Sequence, residues 1–474
     1  MSDDALCFMT VHELGNRIRN REVSATEVVD AHIRRIEAIN SKVLGFLEVT
    51  AEMAFEEARI ADAEIAKGNY RGPLHGIPYG VKDIIDTASV RTTKGSAMYQ
   101  DNVPVRDAHC VALLKKAGAI LLGKCHTQEF ASGPLSLNPF FGTVRNPWDL
   151  SRTTGGSSSG SAASVAARMC SMALGTDTGS SIRGPAALCG IVGLKPTHGR
   201  VSLSGVAPNA LSFDHVGPIT RSAMDAALIL QVISGYDDED PYSNDNPVPN
   251  YMTEFSEGLR GKRVGLCPDL YNNAEVDSQV MHSFEKSVDI FRELGASVNV
   301  IRFEHAERFL NVIQTILSAE FLEFHRPIYE KNRDGYGDVT KKAIESRLGT
   351  VSLDQYVRAQ RERELLRREV YRLFHEVDMI ITPSLPCVAP PVDTWKATIN
   401  GKEMDYSLSI TMPFLTPQNL TGFPAVAVPM GFSSFGMPIS LQIIGMPEKE
   451  AVILKAAHTF QEHTSEIQSK TPSL

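Results

Sequence analysis

Two glycine- and serine-rich segments carry side chains that could do nucleophilic chemistry in this chain. The first, Gly156-Ser157-Ser158-Ser159-Gly160, has the G-x-S-x-G spacing of a serine nucleophile on a sharp turn between a strand and a helix. Such a turn needs a buried strand directly before it. The residues found there, NPWDLSRTTG, are polar and turn-rich. The context therefore argues against the α/β-hydrolase type of nucleophile turn.

The second segment, Gly175 to Pro185, reads GTDTGSSIRGP and places Ser181 at 181 − 157 = 24 positions after Ser157. Between the segments, small residues predict a closely packed helix from Ser161 to Met172. Glycine and serine allow successive backbone N–H groups to converge on one point, which is the geometry of an oxyanion hole. A tight turn beneath a core helix explains the same composition, so the residues alone leave both interpretations open.

The sequence argues against several other kinds of catalytic or binding site. No Lys-Ser or Lys-Thr pair follows the glycines, which excludes a Walker A loop. An S-x-x-K match, Ser283 to Lys286, lies within an amphipathic helical pattern and has no supporting motif. The seven cysteines are dispersed, with no C-x-x-C pair and no histidine at metal-ligand spacing, and the thirteen histidines form no local cluster. We therefore expect no metal and no cofactor.

Composition and charge set the broad class. The 474 residues carry a formal net charge of -9 with no basic stripe, so we expect no nucleic-acid partner. The opening MSDDALCFMTVHELGNRIRN lacks the pattern of a secretory signal. No apolar run reaches the roughly 18 residues needed to cross a bilayer, so we expect no membrane partner and a cytoplasmic location.

Hydrophobic periodicity predicts an α/β fold with a large mixed β-sheet covered by helices on both faces. Residues 1–68 read as an N-terminal helical segment packed on the core, with a Ser24–Glu27 capping box at the start of one helix. Residues 69–474 read as the α/β domain, within one structural domain overall. Residues 235–375 are expected to be a variable region that shapes the substrate pocket.

Several longer motifs resemble one known family in wording, order and spacing. They are PLHGIPYGVKD, GTVRNPWD, TTGGSSSGSAASVA, GTDTGSSIRGPAALCGIVGLKPTHGRVS and FDHVGPITRS. The chain is identified through them as similar to the amidase signature family over nearly its whole length. The resemblance implies a single amidase-signature domain in which Ser181 is acylated, Ser157 follows a cis peptide bond and Lys82 is the base.

The chemistry gives each of these residues a task. A serine hydroxyl needs a base, and a lysine can serve only when neutral, so the pKa of Lys82 must fall from about 10.4 by about three units. Ser157 would relay the proton. The resemblance assigns the oxyanion hole to the backbone N–H groups of Thr178, Gly179, Ser180 and Ser181. Members of the family commonly have glycine where this chain has Ser180, so the resemblance does not determine the conformation of this loop.

The remaining site expectations concern neighbours and substrate. Asp177 and Arg183 flank the nucleophile, and we favour a structural ion pair over a substrate contact. Ala131 and Ser132 are expected to bind substrate, within a pocket loop from Ala131 to Leu137. The expected partner is a small-molecule amide or carbamate. A homodimer is possible, and the sequence does not decide whether it forms.

We expect a serine hydrolase of carbon–nitrogen bonds other than peptide bonds, which cleaves a carboxamide, anilide or related carbamate through a Ser181 acyl-enzyme. The alternative is the glutaminase (A) subunit of a tRNA-dependent amidotransferase. In that subunit, the acid that recognises the α-ammonium group of glutamine would fall near Met412, and a methionine cannot pair with an ammonium group. The sequence therefore favours the free-standing amidase.

Overall fold

Strands and helices alternate along this chain, and most of the strands join one sheet. The computed structural model describes residues 3–252, 255, 258–271 and 275–474. Its strands are β1 (Phe46–Val49), β2 (Pro78–Lys82), β3 (Ile120–Cys125), β4 (Leu137–Asn138), β5 (Gly142–Thr143), β6 (Arg145–Asn146), β7 (Asp149–Thr153), β8 (Met172–Thr176), β9 (Val192–Lys195), β10 (Val216–Thr220), β11 (Arg263–Leu266), β12 (Ser297–Val300), β13 (Met379–Pro383), β14 (Lys396–Ile399), β15 (Lys402–Asp405), β16 (Ala425–Phe432) and β17 (Pro438–Ile444).

The α-helices complete the set of regular elements. They are α1 (Asp3–Phe8), α2 (Val11–Arg19), α3 (Ala25–Val43), α4 (Ala51–Ala66), α5 (His109–Lys116), α6 (Ser159–Ala166), α7 (Arg183–Cys189), α8 (Ala223–Ile233), α9 (Ser278–Glu293), α10 (Arg308–Lys331), α11 (Asp338–Glu345), α12 (Leu353–Leu373), α13 (Leu408–Leu415), α14 (Pro417–Thr421), α15 (Glu450–His463) and α16 (Ser465–Gln468). Within the described residues, none of these helices is long and apolar enough to span a membrane.

The main sheet has eleven strands in the described residues, in the order β1-β3-β2-β8-β10-β9-β16-β17-β13-β11-β12. The strands β3, β2 and β8 run parallel, as do β13, β11 and β12, while the other neighbours are antiparallel. Successive side chains of a strand point to opposite faces, and the strands β2, β3, β8, β9 and β10 are buried on both faces. The predicted mixed sheet is therefore confirmed.

Helices cover both faces of the sheet. On one face, Tyr79 and Val81 of β2 pack with buried residues of α2, α5, α8 and α15. On the other, Ala173 of β8 packs with buried residues of α3, α4 and α6. Both strands are completely buried between these helical layers.

The N-terminal segment departs from the prediction in one respect. Its helices and the capping box are present: the Ser24 hydroxyl accepts from Glu27 N–H, and Ser24 N–H donates to the Glu27 carboxylate. However, residues 46–49 form β1, which pairs with β3 at the edge of the main sheet. These four residues lie between two long helical patterns, and they are too few for a strand to be recognised from the sequence. The division at residue 68 stays a prediction.

The helix predicted from Ser161 to Met172 is shorter in the structure. It runs as α6 from Ser159 to Ala166, and Met172 already begins β8. Apolar periodicity cannot separate a small-residue helix from a following buried strand, because all of their residues are buried. Parts of the expected pocket-shaping region 235–375, namely residues 253, 254, 256, 257 and 272–274, lie outside the described residues, as do residues 1 and 2 of the N-terminal segment.

Candidate active site

Lys82 is the last residue of β2, and its side chain is completely buried. The strands β2 and β8 are parallel neighbours, so their carboxyl ends meet at one edge of the sheet. Lys82 Nζ donates there to Thr176 Oγ1 at 2.7 Å and to Ser157 Oγ at 2.8 Å. The sheet therefore fixes the lysine between two hydroxyl groups.

Burial also changes the protonation of this lysine. Removal from water lowers the pKa of Lys82 from 10.5 to about 7, because the charged form loses its hydration. The carboxylates of Asp177 and Asp214 oppose this effect and favour the charged form. A pKa near neutrality lets a large fraction of Lys82 exist as the free amine, which is the form that can accept a proton.

Ser157 precedes α6 and follows a cis Gly156–Ser157 peptide bond. Its side chain is fully buried, and its carbonyl oxygen accepts a hydrogen bond from Thr127 Oγ1 at 3.0 Å. The next residue, Ser158, ties this turn to β8: its hydroxyl donates to Thr176 O at 3.1 Å and accepts from Thr176 N–H at 3.2 Å. The first Gly/Ser segment is thus packed against the strand that ends beside Lys82.

Ser181 lies in the loop between β8 and α7, and a buried ion pair holds that loop. The Arg183 side chain contacts Asp177 through two hydrogen bonds, Nε to Oδ2 and Nη2 to Oδ1, both at 3.0 Å. Asp177 Oδ2 also accepts from the backbone N–H of Ile182 at 3.1 Å. Both charged side chains are completely buried, and neither lines the cavity beside Ser181. Their geometry supports a structural role.

The pKa of Asp177 reflects this pairing. Burial alone would raise it, but the charge and hydrogen bonds of Arg183, together with the amide of Asn419, bring it below 3.8. Asn419 also donates to the carbonyl oxygen of Asp177 at 2.9 Å. The loop that carries Ser181 is therefore fixed at its start by an ionised carboxylate with several partners.

Four successive backbone N–H groups of this loop donate to no acceptor in the described part of the chain. They belong to Thr178, Gly179, Ser180 and Ser181. The loop is anchored instead through its carbonyl oxygens, since Thr416 Oγ1 donates to Gly179 O at 2.9 Å. Ser180 is not among the non-glycine residues with positive φ, so a side chain fits at this position without backbone strain.

The three expected catalytic side chains are only partly joined by hydrogen bonds. Lys82 and Ser157 are in direct contact, whereas no side-chain hydrogen bond links Ser157 to Ser181 among the described residues. These serine-bearing loops meet through the backbone, where Ser158 N–H donates to Ser181 O at 3.3 Å. Ser181 opens on a cavity, and Lys82 and Ser157 lie outside its lining.

That cavity has a volume of about 340 Å³. Both expected substrate-binding residues, Ala131 and Ser132, line it next to Ser181. Asn209 also lines it and donates to Ala131 O at 2.9 Å, which steadies the loop that carries these residues. Further lining residues are Leu317, Phe321, Val339, Ala343, Arg347, Tyr406, Leu408 and Met412.

Sequence reasoning missed some of these residues. Thr176, the second partner of Lys82, stands inside one of the family motifs, but the motif gave it no role of its own. Residues of α10 and α11 line the cavity and belong to the region 235–375. Arg347 also lines the cavity and belongs to this region, but no sequence pattern identified it. The cavity-lining residues between 406 and 412 lie outside the region 235–375, so they were not expected in the pocket. Thr176 could have been identified as a site residue from its position at the end of a strand that runs parallel to β2.

The described residues contain no group of three or more His, Cys, Asp or Glu side chains that could hold a metal ion. The seven cysteines all lie in the described residues, are buried and form no disulfide bond. Burial raises the pKa of Cys110 and Cys125 to about 12, so both are held as neutral thiols. Neither of these two thiols is therefore a thiolate ligand or nucleophile at neutral pH.

The eleven-stranded mixed sheet and the loops that carry the long sequence motifs point to a class of amide hydrolases. The family profile described as Amidase matches residues 27–454. A relative from Geobacter sp. (strain M21), named as the A subunit of glutamyl-tRNA(Gln) amidotransferase, is 39% identical and is covered over 99% of its length by 98% of this chain. This chain belongs to the amidase signature family. It is accordingly an amidase-family hydrolase acting on carbon–nitrogen bonds.

Two further similarities extend this comparison. A protein with the same name from Roseiflexus sp. (strain RS-1) is 40% identical, with 96% of each chain covered. A solved structure described as "An unexpected vestigial protein complex reveals the evolutionary origins of an s-triazine catabolic enzyme", in an inhibitor-bound complex, superposes with a TM-score of 0.91 at 32% identity. The superposition covers 96% of this chain and 99% of the chain in that structure.

These relatives correct one sequence-based expectation. We expected a small-molecule amide or carbamate as the partner, with no nucleic acid. That expectation is wrong, because relatives that match nearly the whole chain are named as part of an amidotransferase for glutamyl-tRNA(Gln). Net charge was a poor guide here, since the acidic balance describes the whole surface and not the surroundings of one site.

Proposed function

We propose that this chain is the amide-hydrolysing subunit of an amidotransferase-type assembly, in which Ser181 opens the carboxamide of a donor and releases ammonia. The observation that carries the chemistry is the buried contact between Lys82 and Ser157, with a lysine pKa of about 7. The subunit role is supported by the relatives named as amidotransferase A subunits, which match in length as well as in sequence.

The first half of the reaction forms the acyl-enzyme. Ser181 Oγ attacks the carbonyl carbon of the carboxamide, and its proton passes to Ser157 Oγ as the Ser157 proton passes to neutral Lys82. The developing oxyanion faces the four unused N–H groups of residues 178–181, which stabilise it without reorganisation. Collapse of the tetrahedral intermediate breaks the carbon–nitrogen bond, and the leaving amide nitrogen takes a proton back through the relay as ammonia.

The second half uses the same relay with water in place of Ser181 as the nucleophile. Water attacks the Ser181 ester, its proton passes to Lys82 through Ser157, and collapse returns a proton to Ser181 Oγ. The sum is carboxamide plus water to carboxylic acid plus ammonia. Ser157 and Ser181 have no hydrogen bond between their side chains in the described structure. The relay therefore requires Ser181 Oγ to rotate toward Ser157 when substrate is bound, as catalytic contacts often tighten only in the complex.

The assembly is tested by measuring ammonia release from glutamine and from simple carboxamides. The chain is assayed alone and with the other subunits of a glutamyl-tRNA(Gln) amidotransferase, and Ser181→Ala serves as the inactive control. We expect hydrolysis that those subunits stimulate and couple to amide transfer. Full activity of the isolated chain, with no transfer in the mixture, would reject the subunit role. No ammonia from any carboxamide in either setting would reject the hydrolysis itself.

A second function, a free-standing amidohydrolase of carboxamides, is favoured by one observation. Met412 lines the cavity beside Ser181 and is 6% exposed, at the place where the family resemblance puts the acid for the α-ammonium group of glutamine. No acidic side chain lines this cavity among the described residues. A donor other than glutamine would fit such a cavity.

A further inference from the structure

The cavity beside Ser181 contains one charged side chain, Arg347, and its charge is not neutralised by the described residues. All the other described side chains that line the cavity are apolar, hydroxyl-bearing or amides. No carboxylate of the described chain forms an ion pair with Arg347. The nearest acid along the chain, Glu345, is already paired with Arg333 and accepts from Tyr329. The site therefore carries an uncompensated positive charge.

Arg347 is held in place by its surroundings. It follows α11, and Val339, Ala343 and Arg347, spaced four residues apart, line the cavity from one side. Its Nη1 donates to Ala343 O at 2.7 Å, and its guanidinium carbon lies 4.9 Å from the ring centre of Phe321. Arginine has five N–H donors, so this single side-chain hydrogen bond within the described chain leaves several for a ligand.

Burial makes this charge costly. The pKa of Arg347 is lowered, and loss of hydration is the only cause. His325 lies close by, and burial together with the charge of Arg347 lowers the pKa of His325 to about 3, so the imidazole is neutral and offers no opposing charge. A half-buried cation without a counter-ion gains most from an anionic ligand, because the ligand restores the lost electrostatic stabilisation.

We propose that Arg347 binds a carboxylate on the acyl part of the donor, so that the preferred substrate is the half-amide of a dicarboxylic acid without an ammonium group. A carboxylate matches the planar guanidinium, whereas an ammonium group would meet a like charge and no acidic partner in the described lining. The volume of about 340 Å³ suits a short acyl chain. This inference rests on the proposed Ser181 hydrolysis, but not on the assembly or on glutamine as donor.

Three substrates that differ by one group each test the proposal. Pentanamide is neutral, glutaramate replaces its terminal methyl group by a carboxylate, and glutamine adds an ammonium group to glutaramate. For the full chain we expect kcat/KM to be highest for glutaramate. A hydrogen-bonded charge pair is worth about 1.5 to 3 kcal/mol, so Arg347→Gln should reduce the preference for glutaramate over pentanamide by about 10- to 100-fold, mainly through KM.

The controls separate charge from folding. Lys342→Gln removes an exposed positive charge from the same helix and should keep the wild-type preference. Arg347→Lys should restore part of the preference. Circular dichroism spectra confirm that each variant folds. If wild type hydrolyses pentanamide and glutaramate equally well, or if Arg347→Gln affects both equally, Arg347 only caps α11 and the proposal is wrong while the hydrolysis stands.

A binding measurement makes the test independent of turnover. Calorimetry measures the affinity of glutarate for Ser181→Ala and for the Ser181→Ala, Arg347→Gln double variant. Glutarate binding that depends on Arg347 supports the proposal even if no carboxamide is hydrolysed, in which case the proposed function alone is overturned. Equal or undetectable binding in both variants overturns the carboxylate site.

Discussion

Lys82 and Thr176 end two neighbouring parallel strands, and Lys82 Nζ donates to Thr176 Oγ1 at 2.7 Å. The same nitrogen lies 2.8 Å from Ser157 Oγ. When Lys82 is neutral, the contact with Thr176 occupies one N–H bond and orients the lone pair for the Ser157 proton. Thr176 is therefore a positioning residue for the proposed base, and this role is testable.

Thr176→Val should lower kcat by about tenfold and leave KM nearly unchanged, because a lost hydrogen bond misorients the amine without touching substrate. It should also move the acidic limb of the rate profile to lower pH, since the removed acceptor stabilises the charged lysine more than the neutral one. Thr176→Ser keeps the hydroxyl and should restore both quantities. Equal losses in the two variants, with no shift of the limb, would indicate a packing role only.

The rate should rise with pH through an apparent pKa near 7. The pKa of Lys82 is lowered to about 7, so the lysine is protonated and inactive as a base below that pH and neutral above it. The measurement is the pH dependence of kcat/KM for a carboxamide, with Lys82→Ala as the comparison. The variant should lose the limb together with most of the activity. A limb that survives in Lys82→Ala would identify another group as the base.

Losses among Lys82, Ser157 and Ser181 should not add, because the three residues act in one proton transfer. Ser157→Ala should slow acylation by a fluorophosphonate about 10² to 10⁴-fold, and Ser181→Ala should abolish labelling. The Lys82→Ala, Ser157→Ala double variant should be scarcely slower than the worse single variant. Intact-protein mass spectrometry follows the adduct over time. An adduct on Ser157 or Ser158, or multiplicative losses, would overturn the assigned roles.

Asp177→Asn should destabilise the protein by about 3 to 5 kcal/mol, because it leaves the buried charge of Arg183 without its partner. The pKa of Asp177 is lowered in the folded state, so its contribution is present above about pH 3.8 and is lost as pH falls below that value. Urea unfolding monitored by circular dichroism gives the free energy of unfolding at each pH.

A matched surface pair provides the control for that measurement. Asp149 and Arg152 form an ion pair with side chains 41% and 22% exposed, and Asp149→Asn should cost less than about 1 kcal/mol. Comparable losses for Asp177→Asn and Asp149→Asn would show that the buried pair does not hold the Ser181 loop.

Met412→Glu should raise the ratio of kcat/KM for glutamine over glutaramate by about tenfold, because the new carboxylate can pair with the α-ammonium group. Met412→Leu keeps the cavity apolar and should leave the ratio at the wild-type value. The two substrates are compared in the same ammonia-release assay. A ratio that falls, or that rises equally in both variants, would show that position 412 does not face the α-ammonium group.

The sequence by itself determined the chemistry-bearing residue types, the family and much of the element order. Lys82, Ser157 and Ser181 stand in long motifs whose wording is specific, and local periodicity predicts the N-terminal helices, the Ser24–Glu27 capping box and a large mixed sheet. These features depend on near neighbours in the chain, through hydrophobic periodicity and capping. The short strand β1 and the end of α6 were misjudged, because pairing with β3 and burial in the core override so local a signal.

The tertiary structure decided what the side chains meet. Lys82 and Thr176 are 94 positions apart in the chain, and only the parallel pairing of β2 with β8 brings their side chains together. The pKa of Lys82 is a property of that burial and not of the lysine alone. The uncompensated charge of Arg347 in the cavity is also a property of the tertiary structure, because it depends on where the described carboxylates lie relative to the guanidinium group. Such electrostatic surroundings are set by contacts distant in the sequence, which no local pattern encodes.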